Sequence, residues 1–285
     1  MAVHKRTYRA YSGTLTPRWR RFLVVSRYAF ARSSSSKLFI FYLALCFFYP
    51  LGCALALYAN HNQALLALFH TRAFFDPNAG VFLHFLGVQG TLGFILAAFV
   101  GPGLVAPDLA NNALPLYLCR PFSRADYILG KAFVLLALLS SITWVPAEIL
   151  FLIQSTLAGG GWMSANFWMV GSIFLGSAVQ ILIFTLLALA LSAWIKRRLA
   201  AGAALLGIFF FGAGFGQAIN AVLHTKSGFL IDITNLIARV EDQLFGQRST
   251  VGISAVDAWM ALVTIIVFSL LLLQVKVRAY EVVRG

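Results

Sequence analysis

The sequence predicts an all-α polytopic membrane protein: six transmembrane helices, an N-terminal interfacial amphipathic helix, and both termini cytoplasmic. Three observations predict it. The 285 residues are 60% hydrophobic and only 11% charged, whereas an ordinary soluble domain is about 25% charged. Several apolar runs approach or exceed the ~20 residues that cross a bilayer. Eighteen of the 22 Lys and Arg fall on one side of the resulting topology, as the positive-inside rule requires. A soluble globule with buried helices is excluded, because too little charged surface remains to solvate a chain of this size. Within hydrocarbon, each backbone polar group needs a partner inside its own segment, so the runs must be helices.

Residues 1–37 form a cytoplasmic segment rich in arginine and serine. It is far longer than the charged region of a cleavable signal. Within it, Trp19, Phe22, Leu23, Ser26, Ala29 and Phe30 recur at i, i+3, i+4, i+7 spacing, while Arg18, Arg20, Arg21, Arg27 and Arg32 lie off that set. Such a basic amphipathic helix lies in the membrane interface. Pro17 suits its first turn, and Ser33 to Ser36 make a polar elbow before the first span.

Residues 38–285 hold the six spans, at about 38–59, 81–105, 129–157, 167–195, 199–223 and 257–275. The N-terminal segment carries nine cations from Lys5 to Lys37. On the same side lie Arg120, Arg124 and Lys131, then Lys196-Arg197-Arg198, then Lys276, Arg278 and Arg284. Arg72, Lys226, Arg239 and Arg248 fall on the other side. The net charge of +13 therefore calls for anionic membrane lipids as partners and no nucleic acid. Between the last two spans, about 229–246 forms an outer amphipathic helix. Its apolar line is Phe229, Leu230, Ile233, Leu236, Ile237, Val240 and Leu244, with Asp232, Asn235, Arg239, Glu241 and Asp242 at other positions.

Inside the spans, Glu148 is the only deep carboxylate, two residues after a helix-bending Pro146. A charge there faces a partner or a wet cavity. It is a candidate pathway or gating residue, or else a carboxyl hydrogen-bonded between helices for structure. His84, Gln89 and Gln180 read as hydrogen-bonded packing, and Cys46, Cys53 and Cys119 as bystanders. The spacing of His and Cys suits no metal. Gly212 and Gly216 make a small-xxx-small pair for close helix approach, within one chain or across a dimer.

A charged hairpin at about 106–128 separates the second and third spans. Pro115 and Pro121 stiffen it. Asp108, behind Pro107, is an N-cap candidate for a short helix to about Ala113. Tyr117 and neighbouring leucines offer an apolar knob, Arg120, Arg124 and Asp126 offer charged contacts, and Lys131 can snorkel at the membrane boundary. An ordinary positive-inside loop needs only the arginines. The hairpin is suited to be pushed on by another protein.

The stretch GPGLVAPDLANNALPLYLCRPFSRADYILGK, residues 101–131, resembles the permeases of type-2 ATP-binding-cassette (ABC) transporters. The matching positions are Asp108, Leu116-Tyr117-Leu118, Arg120-Pro121, Arg124, Asp126-Tyr127 and Gly130-Lys131. The resemblance implies a permease subunit, a homodimer or pseudo-dimer, resting on two cytoplasmic ATPase subunits that bind ATP and Mg. It assigns ATPase coupling to Asp108, Tyr117, Arg120, Pro121, Arg124 and Asp126. It also implies a bacterial cytoplasmic (inner) membrane. The chain has no G-x-x-x-x-G-K-[ST], so it is expected to bind no cofactor and to be no enzyme itself. The expected function is export of a hydrophobic or amphipathic substrate. The alternative is a non-transporting membrane subunit that transmits ATP-driven change to a periplasmic or envelope partner. A membrane-embedded enzyme would need a Ser-His-Asp, HExxH, Cys-His or paired intramembrane Asp constellation, and the sequence offers none.

Overall fold

Each apolar run closes its backbone hydrogen bonds within itself, and no strand occurs among the described residues. A computed structural model describes residues 17, 20–62, 66, 77–114, 117, 123–249 and 251–277. The helices are α1 (Arg21–Ser34), α2 (Lys37–Asn60), α3 (Ala79–Val100), α4 (Pro102–Ala110), α5 (Arg124–Ile142) and α6 (Trp144–Ala158). They continue as α7 (Gly160–Asn166), α8 (Trp168–Trp194), α9 (Arg198–Leu223), α10 (Ile233–Leu244) and α11 (Ala255–Lys276). A 3-10 turn, Ser227–Leu230, precedes α10. Six rods are long and apolar enough to cross a membrane, two of them being α3 with α4 and α5 with α6.

Prolines set both internal breaks. Pro102 takes the first position of α4, where its missing N–H and fixed φ cost nothing. Ser192 of α8 accepts the N–H of Ala106 at 2.8 Å and that of Val105 at 3.3 Å. The second rod therefore runs on to Ala110 instead of ending at 105. In the third rod, the Pro146 ring opposes the carbonyl of Ile142. The helix opens there at Thr143 (φ −103°, ψ −94°), whose hydroxyl donates back to Leu139 O at 2.7 Å.

α8 is the hub, most of it buried, whereas α2 and α11 are largely exposed. It touches α3, α4, α5, α6, α9, α10 and α11. None of its 27 residues is charged, so it can be enclosed on every side.

The two ends of the bundle differ chemically. Arg198 donates to Phe99 O at 3.1 Å, and Lys276 lies 5.1 Å over the Trp194 ring. The α4–α5 connection, the α8–α9 connection and the end of α11 thus share one basic end. α1 docks there, its Ser26 hydroxyl donating to Gly130 O of α5 at 2.8 Å. At the opposite end, Ser172 in the first turns of α8 donates to Leu244 O of α10 at 2.6 Å.

Three sequence readings gain detail, and one of them, the placement of Glu241, changes. The docked face of α1 is Phe22, Val25, Ser26 and Ala29, while Leu23 and Phe30 are exposed. The apolar stripe is wider than the groove on α5 can cover, and its far edge is left outside. Glu241 belongs to the buried face of α10, not to its polar face. It stands on the i, i+4, i+8 line begun by Ile233 and Ile237. The Gly212–Gly216 pair packs within the chain. A Cβ at Gly212 would lie 3.0 Å from Ile231 O, and one at Gly216 would lie 2.5 Å from Gly228 O.

Candidate functional site

The hairpin region is built from its two roots. On the first, α4 ends in a Schellman turn, with Ala113 N–H donating to Asp108 O at 2.8 Å and Asn112 to Leu109 O at 3.3 Å. Asn112 takes the required left-handed conformation at φ 51°. Asp108 is therefore in the last turn of α4 and is no N-cap. Because α4 begins at Pro102, the carboxylate emerges facing α5 rather than the backbone ahead of it.

On the second root, Ser123 and Asp126 form a capping box for α5. Asp126 N–H donates to Ser123 Oγ at 3.1 Å, and Ser123 N–H donates to Asp126 Oδ2 at 3.0 Å. The pair satisfies two N–H groups that a helix start leaves open. Asp126 thus shapes the root, while Arg124 beside it is exposed.

Asp108 joins the two roots. Its Oδ2 accepts the Tyr127 hydroxyl at 2.9 Å and lies 2.7 Å from Lys131 Nζ. Asp108 is 6% exposed and Lys131 5%. Lys131 also lies 5.5 Å over the Tyr127 ring. The expectation that Lys131 snorkels is therefore corrected: its charge is turned inward to the aspartate. Burying either charge alone is prohibitive, and the pair is kept by mutual attraction plus the tyrosine donor. Tyr117 packs on Tyr127 with ring centres 5.5 Å apart. Leu114, Tyr127 and Val277 bury a small cluster that ties in the end of α11. Burial first, and then the Asp108 charge, raise the Tyr117 hydroxyl above its ordinary pKa, so it stays a neutral donor.

α1 locks the same place from outside. A Cβ at Gly130 would meet Phe22 O at 2.8 Å and Val25 Cβ at 3.1 Å. The Gly130-Lys131 step thus serves two contacts, the glycine admitting α1 and the lysine binding α4. Next to Arg124, α5 and α11 enclose a groove of about 600 Å³, with Ile128, Leu129, Leu270, Gln274 and Val275 among its lining. Of the candidate coupling residues, Asp108, Tyr117, Arg124 and Asp126 gather around these roots. Arg120 and Pro121 lie outside the described residues.

Glu148 is elsewhere. Its neighbours Ala147, Leu150 and Phe151 share a core with Leu57 near the end of α2, Phe82 near the start of α3 and Met169 at the start of α8. Glu148 therefore lies in the half of the third rod away from the basic end. It is half-buried and makes no hydrogen bond or ion pair among the described residues.

The sequence did not assign roles to Tyr127, Ser192 or Glu241. Tyr127 could have been found from its place between Asp126 and Lys131, one turn from the lysine. Nothing local marks Ser192, which acts across 86 residues on Ala106. No groups of three or more His, Cys, Asp or Glu positioned to hold a metal occur among the described residues. No protein-family model matches the chain, and no curated protein matches it in sequence.

Proposed function

We propose that the chain is the permease subunit of an ABC transporter of a bacterial inner membrane, exporting a hydrophobic or amphipathic compound. A separate cytoplasmic ATPase subunit, holding ATP and Mg, drives it, and a second permease copy completes the membrane unit. The observation that carries this reading is the buried Asp108–Tyr127–Lys131 connection. It lies inside the segment that resembles those permeases and fastens both roots of the hairpin to each other. A push on the hairpin is therefore shared by the second and third rods at once, as rigid-body gating needs. Arg124 is exposed beside an apolar groove, which supports a contact with a partner protein. Glu148, near the opposite end, is proposed to act at the outer mouth of the pathway.

The deciding experiment is co-purification of the full chain from mild detergent. The expected companion is an ATP-hydrolysing subunit, lost in Arg120→Glu and Arg124→Glu variants by about 1–2 kcal/mol of binding each. Unchanged ATPase binding and activity in both variants sinks the reading. Identification of lipids or small molecules retained in the same preparation narrows the substrate.

A further inference from the structure

α10 seats on the end of the bundle through Ile233, Leu236, Ile237 and Val240, all buried. Glu241 shares that face. It is 5% exposed, and its Oε1 is enclosed with no hydrogen-bond partner among the described residues. Beneath it is Gly176 of α8, where a Cβ would lie 3.5 Å from Glu241 Cγ. One turn along α8, Gln180 presses its carboxamide into the space at Gly90 of α3, where a Cβ would overlap it. Gln180 Oε1 and the intervening Ser177 Oγ are also buried without partners. Three buried oxygens on adjoining elements thus have no hydrogen-bond partner among the described residues.

Among the described residues, no cation faces this place. α8 carries no ionisable residue, and α3 carries only the exposed His84. The one on α9 is Arg198, at the basic end. The 3-10 turn has none, and Lys226 before it lies along Gly252. α11 offers the exposed Asp257, and Lys276 at the basic end. On α10 itself, Arg239 donates to Ile253 O at 2.9 Å, Asp232 caps the helix, and Asp242 adds negative charge beside Glu241. An ionised Glu241 would be a buried, uncompensated charge. Burial, followed by repulsion from Asp242, accordingly pushes its pKa up to about 8.

We propose that Glu241 is a proton-binding site on the seated face of α10, and that the bound proton holds this helix on the bundle. The neutral acid needs no counter-charge in this enclosed seam. Loss of the proton leaves a buried charge that is relieved when α10 lifts into water. The direction follows from linkage. The seated state has the raised pKa, so it holds the proton where the lifted state, near the ordinary 4.5, does not. Seating is fullest below about pH 4.5. It weakens up to about tenfold per pH unit until about pH 8. This site stands apart from the transporter reading.

The test is hydrogen exchange of the full chain in lipid nanodiscs from pH 5 to pH 9, corrected for the intrinsic rate. Protection of the 233–244 peptide should fall with pH in the wild type, by up to about tenfold per unit, and stay level in Glu241→Gln. A level wild-type profile, or the same slope in the variant, overturns the proposal. Should the variant misfold, the wild type alone decides through dicyclohexylcarbodiimide, which attacks protonated carboxyls from an apolar phase. An adduct on Glu241 at pH 6 that disappears by pH 9 supports the site. No adduct at pH 6, or one indifferent to pH, overturns it.

Discussion

At the residue scale, the decisive feature is a charge pair that water barely reaches. Asp108 and Lys131 are 2.7 Å apart, on opposite sides of a hairpin rich in proline and arginine. Asp108→Ala leaves Lys131 buried and unpaired, and should destabilise the fold by about 3–5 kcal/mol. The double change Asp108→Leu with Lys131→Met removes both charges and should recover most of that loss. Thermal unfolding in detergent separates the two cases. If the pair also conveys force, the double variant should regain stability without regaining ATP-driven transport. Tyr127→Phe removes one hydrogen bond to a carboxylate and should cost about 1.5–3 kcal/mol. Both charges are plain in the sequence, but their pairing is not, because local spacing says nothing about contacts across a turn.

At the element scale, the prominent feature is how an amphipathic helix is held. α1 was legible from its periodicity, yet periodicity gives a stripe and not a partner. Gly130 supplies the partner by leaving no side chain where Phe22 and Val25 approach. Gly130→Val should force α1 off α5 and cost about 1–3 kcal/mol as an overpacking change. Faster hydrogen exchange over 21–34 is the readout, with the 168–194 peptide unchanged. α4 shows the same limit of local reading. Pro107 suggested a helix start at Asp108, but tertiary contact with Ser192 allowed the helix to begin at Pro102. Ser192→Ala removes the buried hydroxyl that links α8 to the first turn of α4 and should cost about 0.5–1.5 kcal/mol, read as a drop in thermal unfolding temperature.

At the scale of the whole molecule, one uncharged helix organises two chemically different ends. α8 meets α4 through Ser192 at the basic end and α10 through Ser172 at the other. If the basic end is cytoplasmic, a cysteine placed at 197 should be labelled by impermeant reagent only in inverted vesicles. One placed at 247 should be labelled only in right-side-out spheroplasts. The reverse pattern would invert the topology and detach the hairpin from any cytoplasmic ATPase. On the proposed transporter reading, Glu148→Gln should lower transport while leaving the assembly intact, because Glu148 lies away from the Asp108–Lys131 pair. Intact transport by that variant would remove its role.

The sequence by itself determined the class of the molecule, its six rods and the end at which the cations gather. Those follow from apolar length and charge order, which the bilayer reads segment by segment. Only the tertiary structure decided that Lys131 turns inward to Asp108, that Glu241 stands on the buried face of α10, and that the neighbours of Glu148 pack with α2, α3 and α8. Each of these depends on which helix faces which, and that is set by the summed packing around α8 rather than by any single stretch of residues.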